Sequence, residues 1–271
     1  MQAHTLPDGR QIRYMLRPQG PPGMPPVVFL NGLSQTTVAW GQQVHRLKGR
    51  RGTLVYDASG QGRSSPPPPG SRPIDHAYDL LDLLDVLELP CVDLCGFSFG
   101  SRIALRLALL APDRVQRMVL IGAAHRETVL RRWIVQGWLD ALNIGGLEHC
   151  FRIVTPSIVG ETWLAKHEWM HANMLAAFVR RNHPESMRRL LADTLLEGGD
   201  FTSAELGRIP HPTLILRGAD DIVVPRFLND ELVALLPDAR FDEIADCAHT
   251  VAIEQPDWTA THLAEFLVVG D

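Results

Sequence analysis

Short apolar runs that alternate with stretches of helical periodicity restrict most strongly what this chain can fold into. Val27 to Leu30, Thr53 to Tyr56, Val92 to Cys95, Val115 to Ile121 and Thr213 to Leu216 are each too short for a typical helix and carry few charges. Runs of this kind suit strands covered on both faces. Between them the apolar positions recur at helical spacing, as in Asp75 to Leu89, with leucines on one face and acids on the other. Strand and helix in repeated succession make a mostly parallel sheet, because parallel neighbours need a long crossover. The expected fold class is α/β, a mostly parallel central sheet flanked by helices.

The rhythm is interrupted once. From about Arg126 to Gly207 there is no β-rich run, only helical segments broken at Gly145-Gly146, Pro156, Pro184 and Gly198-Gly199. This stretch holds four of the six tryptophans: Trp133, Trp138, Trp163 and Trp169. After it the alternation resumes, with a helix from about Pro225 to Leu236, a strand from Arg240 to Ile244 and a last helix to Val268. A core domain made of 1–125 and 208–271, with a helical cap inserted over 126–207, accounts for the whole pattern. A chain of 271 residues can bury one core of that size. The tetraproline Pro66 to Pro69 is expected to be an exposed, stiff connector.

Chemistry enters at Gly96-Phe97-Ser98-Phe99-Gly100, a G-x-S-x-G sequence that joins a predicted strand directly to a predicted helix. In that context the glycines permit a tight turn that holds the serine above the sheet edge, over the positive end of the following helix. A serine hydroxyl is a poor nucleophile and needs a base within hydrogen-bond reach. The base expected is His249, between the last strand and the last helix. Asp221, just past the strand Thr213 to Leu216, is the acid expected to orient it, in preference to its neighbours Asp220 and Asp246. Both lie at carboxyl ends of strands, where open α/β sheets place their sites, and the order Ser, Asp, His suits this architecture.

With these residues in place, the chain resembles the α/β-hydrolase superfamily from about Val27 to Phe266. The similarity includes Gly218-x-x-Asp221 with Val224-Pro225 beyond it, the histidine followed by Glu254-x-Pro256, and Asp57-x-x-Gly60-x-Gly62-x-Ser64. It implies an α/β-hydrolase fold and an oxyanion hole formed by the backbone N–H groups of Leu33 and Phe99. Each such donor is typically worth about 3 kcal/mol in the transition state. Asp57 is expected to order a loop. The chain departs from the common pattern at Asn31, where the turn usually begins His-Gly. Asn31-Gly32 with Thr36 and Thr37 nearby is similar to the hydroxyacyl transferases of rhamnolipid precursor synthesis, and this leaves the acyl acceptor open.

The reading that follows is a serine hydrolase acting on an ester, thioester or lactone with an apolar acyl or aromatic part. Trp163 and Trp169 are the expected walls of its acyl pocket. An acyltransferase, a carbon–carbon bond hydrolase or a ligand receptor could share the triad. Serine at the elbow argues against epoxide hydrolase and haloalkane dehalogenase chemistry, which uses aspartate there. No cofactor is implied. His167-Glu168-Trp169-Met170-His171 matches the zinc-protease pattern H-E-x-x-H, but the positions of a metzincin third ligand hold other residues, and a lid helix is expected instead. A net charge of −5 gives no basic footprint for nucleic acid. The polar start, the lack of a long apolar run and four cysteines without framework spacing point to a cytoplasmic protein away from membranes, with a small-molecule substrate. Cys91 and Cys95, four apart on one predicted strand, are expected to face the same side.

Overall fold

The computed structural model describes residues 1–18, 20–196 and 200–268. An eight-stranded sheet runs through it in the order β1-β2-β4-β3-β5-β6-β7-β8. The strands are β1 (Gln2–Thr5), β2 (Gln11–Arg17), β3 (Val27–Leu30), β4 (Thr53–Asp57), β5 (Val92–Phe97), β6 (Val115–Ile121), β7 (Thr213–Gly218) and β8 (Ala239–Ile244). From β4 to β8 every neighbouring pair is parallel, and the two pairings of β2 are antiparallel. The interleaved helices are α1 (Gly41–Arg46), α2 (Pro73–Val86) and α3 (Phe99–Leu110). Next in the chain come α4 (Val129–Ile158), α5 (Glu161–His167), α6 (His171–Arg181), α7 (Pro184–Thr194) and α8 (Ser203–Leu206). The last are α9 (Arg226–Leu235), α10 (Val251–Glu254) and α11 (Pro256–Leu267).

Successive strand residues supply two different cores, as the two-residue period of a strand requires. Val28, Leu30, Leu54, Leu94 and Leu120 pack with Leu80 and Leu83 of α2 and Ile103 and Leu107 of α3. Val27, Phe29, Val55, Cys95 and Val119 point the other way, against Trp40, Val44 of α1 and Leu263 of α11. A third cluster joins the helices between β6 and β7 to the sheet edge. In it Val135, Trp138 and Leu142 of α4 and Met187 and Leu191 of α7 meet Val223, Val224 and Leu228.

Several local expectations change. The hairpin β1–β2 was not legible, because β1 is a polar edge strand with almost no buried face. Its residues are held by pairing and not by an apolar side. Cys91 precedes β5 and is half-buried, so the two cysteines do not lie on one strand as expected; Cys95, Cys150 and Cys247 are buried, and all these thiols are free. Pro67 is buried within the tetraproline, because Gly60 leaves room for its ring: a Cβ on Gly60 would lie 2.9 Å from Pro67 Cδ. At Gly145-Gly146 the helix α4 kinks, with Gly146 at φ 68°, and the chain regains helical form beyond it. Pro156 sits in its last turn and does not break it, since the residues around it keep helical backbone angles. The expected break at Gly198-Gly199 lies outside the described residues. Among those described, no helix is long and apolar enough to cross a membrane.

Candidate active site

β5 ends at Phe97 and α3 begins at Phe99, so Ser98 makes the turn alone. It does so at φ 51°, ψ −110°, a conformation that L-residues adopt only when the surroundings impose it. The flanking glycines explain how. A Cβ on Gly96 would stand 2.6 Å from the Gly100 carbonyl oxygen, and one on Gly100 would stand 2.3 Å from the Leu30 carbonyl oxygen. Any larger residue at either position would force strand, turn and helix apart. The Ser98 amide donates to the Ile121 carbonyl at 2.8 Å and ties the turn to β6.

The acid and base come from the far side of the sheet. Asp221 Oδ1 accepts the amides of Val223 and Val224, each at 2.8 Å, and its Oδ2 accepts His249 Nδ1 at 2.7 Å. Both side chains are buried. Glycine again permits the approach, since a Cβ on Gly218 would lie 2.1 Å from the Ala248 carbonyl oxygen. The imidazole then rests 4.8 Å from the Phe97 ring, and a Cβ on Gly122 would come within 2.8 Å of its Cε1. Gly122 directly follows Ile121, so the ring sits over the two strand ends that carry the elbow. An imidazole donating through Nδ1 keeps Nε2 as an acceptor. In this conformation Asp221 and His249 are hydrogen-bonded, whereas the Ser98 hydroxyl lies at the same strand ends without a bond to the ring. Asp220 is exposed, and its amide donates to the Cys247 carbonyl at 2.9 Å; Asp246 is exposed at φ 52°.

The loop after β3 crosses the elbow. A Cβ on Gly32 would be 2.7 Å from the Phe97 ring and 3.6 Å from Ser98 Cβ, which places Leu33 beside the serine. Neither the Leu33 nor the Phe99 amide donates a hydrogen bond among the described residues. Asn31 organises this loop. Its Nδ2 donates to the Tyr56 carbonyl, Asp57 Oδ1 and Gln61 Oε1 at 3.1–3.2 Å, and its Oδ1 accepts Trp40 Nε1 at 2.9 Å. Asn31, where the chain departs from His-Gly, thus holds the loop in place by four buried hydrogen bonds.

Asp57 belongs to the same network, accepting the Thr37 amide at 2.8 Å. Burial pushes its carboxyl up to about 6, against the pull of Thr37 and Asn31. An acid whose pKa is raised on folding stabilises the folded state while protonated. Stability should therefore fall as pH climbs from about 4 to about 6, by on the order of 3 kcal/mol for a shift of this size. Asp57→Asn should flatten that decline relative to the parent protein in thermal melts taken across the window. An unchanged slope would mean that Asp57 is ionised throughout.

A cavity of about 510 Å³ opens between this loop, the helices α4 and α6 and the residues after His249. Ser34, Val159, Trp163, Met174, Phe178 and Thr250 are among its walls. Trp163 is half-buried there and stacks on His167 at 4.0 Å between ring centroids. Trp169 must be corrected. It is 75% exposed and lines no part of this cavity, because a 3₁₀ turn over Glu168–Met170 rotates it outward and brings Met170 in. The same turn splits the H-E-x-x-H sequence. His167 ends α5 and donates from Nδ1 to the Trp163 carbonyl at 2.8 Å, while His171 opens α6. The single lid helix expected there is thus two helices. Among the described residues no three His, Cys, Asp or Glu side chains converge as metal donors.

Residues 25–256 match the family defined by the alpha/beta hydrolase fold. A protein of Caulobacter segnis named carbamate hydrolase RutD is 27% identical over 245 residues, spanning 89% of this chain and 90% of its own length. The pimeloyl-[acyl-carrier protein] methyl ester esterase of Nitrosomonas europaea is 28% identical over 247 residues, 86% of this chain and 92% of its own. In three dimensions the chain is similar to MGS-M2, an alpha/beta hydrolase enzyme from a Medee basin deep-sea metagenome library. That structure superposes with a TM-score of 0.91 at 24% identity, over 100% of this chain and 98% of the other.

Proposed function

The chain belongs to the α/β hydrolase fold family, and from that premise we propose that it is a serine hydrolase working through an acyl-enzyme on Ser98. The observation that carries this reading is the buried Asp221–His249 pair, bonded at 2.7 Å over the strand ends that carry the strained serine. The Ser98 hydroxyl attacks the substrate carbonyl carbon, and its proton passes to His249 Nε2. The negative charge that develops on the carbonyl oxygen is held by the Leu33 and Phe99 amides, which have no hydrogen-bond partner among the described residues and are therefore available. His249 returns the proton to the leaving group as the carbonyl bond to it breaks. Water then loses a proton to His249 and attacks the acyl carbon, and His249 gives that proton to Ser98 Oγ as the acyl–oxygen bond breaks and the carboxylic acid leaves. Asp221 fixes the imidazole tautomer and stabilises its positive form.

Esters, thioesters and lactones with an apolar acyl or aromatic part are the proposed substrates. Residues 126–207 act as a cap whose α4 to α6 segment forms the roof of the acyl pocket. Support comes from the apolar walls, Val159, Trp163, Met174 and Phe178. The names of the relatives are consistent with the same step, since carbamates and methyl esters both present a carbonyl carbon bearing a heteroatom leaving group.

Trp163 gives the test. Trp163→Ala should reduce kcat/KM for p-nitrophenyl octanoate roughly tenfold and leave the acetate ester within about twofold, as loss of a buried aromatic wall implies. Trp169→Ala, which removes an exposed ring, should change neither. Equal losses for both chain lengths in the Trp163 variant would mean that this residue supports the fold and not the substrate.

A further inference from the structure

Glu254, the last residue of α10, is buried and makes no ion pair among the described residues. Its carboxylate is held by dipoles alone. Oε2 accepts the Gly160 amide at 2.9 Å and the Ala248 amide at 3.0 Å. Oε1 accepts the Thr250 amide at 3.1 Å and the Thr250 hydroxyl at 2.8 Å. Ala248 and Thr250 are the two neighbours of His249, so one side chain grips the backbone on both sides of the imidazole. Gly160 belongs elsewhere, to the extended link between α4 and α5 in the helical insertion.

A second strap runs parallel to the first, because the Thr250 amide also donates to the Ile158 carbonyl at 3.1 Å. Gly160 has no room for a side chain: a Cβ there would meet Glu254 Oε2 at 2.8 Å and the Ala248 nitrogen at 3.3 Å. A buried carboxylate costs several kcal/mol to desolvate unless donors surround it. Placing one here is costly for a residue that merely ended a four-residue helix. Its position makes sense if the base loop and the α4–α5 link must hold one geometry together.

We propose that Glu254 is a positioning residue that couples the α4–α5 link of the cap to the loop carrying His249. The imidazole height above Ser98 is then set partly from the cap side, so a substrate that seats the α4–α5 link also seats the base. This inference rests on the serine hydrolase reading, because it needs His249 to act as the base. Displacing a catalytic group by about 1 Å can cost on the order of 100-fold in rate, which sets the scale of the expected effect.

Glu254→Gln keeps the size but turns two N–H groups toward backbone N–H donors. It should lower kcat roughly 10- to 100-fold with little change in KM for a short ester. Fluorophosphonate labelling of Ser98 should slow in parallel, at a temperature well below the variant's own melting midpoint. Gly160→Ala attacks the same contact from the cap side and leaves the bonds to Ala248 and Thr250 their acceptor, so it serves even if Glu254→Gln does not fold. It should reproduce the slower labelling, and the double variant should be no slower than the worse single, as expected of residues acting through one contact. Glu254→Asp, which keeps the charge, should recover part of the rate. A melting point that falls while labelling stays at the parent rate in Gly160→Ala and in every Glu254 variant that folds would overturn the coupling. So would losses that multiply in the double variant. If Ser98→Ala or His249→Ala retained normal turnover, the underlying hydrolase mechanism would fail instead, and the two failures would not be confused.

Discussion

Ser98→Ala should abolish turnover, by on the order of a thousandfold or more, and leave the melting temperature close to that of the parent. Ser98 is half-buried, its hydroxyl makes no hydrogen bond among the described residues and it belongs to no core cluster, so its removal costs little stability. Alanine also lacks an oxygen but keeps the Cβ, so the turn at φ 51° stays as strained as before and the Ser98-position amide still reaches Ile121. A fluorophosphonate should label the parent at this residue and leave the alanine variant unmodified, read by intact-protein mass spectrometry. Residual labelling with one adduct per chain would place the nucleophile elsewhere.

Asp221→Asn should reduce kcat by on the order of 10⁴-fold, because an amide cannot hold the imidazole in the required tautomer as a carboxylate does. Two geometric details sharpen the expectation. Oδ1 is committed to the Val223 and Val224 amides, so the asparagine oxygen should stay on that side. The amide nitrogen then faces Nδ1 and donates to it, which moves the ring proton to Nε2 and removes the acceptor that Ser98 needs. Asp220→Asn is the control, and it should retain most of its activity because that side chain is exposed and makes no hydrogen bond to the pair. If Asp220 proved the sensitive residue and Asp221 the tolerant one, the buried pair would be a structural contact and not the acid and base.

The features that could be read without coordinates share a physical origin. Strands β3, β5, β6 and β7 announced themselves because burial on both faces demands apolar residues at nearly every position. The placement of Ser98, Asp221 and His249 beyond the ends of β5, β7 and β8 was legible because each follows a strand whose end the local residue types mark. The N-terminal hairpin gave no such signal, since β1 is exposed on most of its length. Trp169 looked like its neighbour Trp163 because both are aromatic and lie in one helical segment. A single 3₁₀ turn, which shifts the angle between successive residues, sends one to the cavity and the other to solvent.

Glu254 shows the same boundary from the other side. As part of the sequence Glu254-x-Pro256 it was visible as a resemblance, with no role attached. Its role depends on Gly160, which lies far away in the chain and reaches it only because α4 ends over the base loop. Local periodicity and turn chemistry act over a few residues, so they determined the alternating sheet, the helical interruption and the chemical identities at the strand ends. The meeting of Gly218 with Ala248, of Gly122 with His249 and of Gly160 with Glu254 depends on sheet twist, strand order and helix ends brought together at van der Waals distance. Those contacts join distant segments, and only the packed tertiary structure decides them.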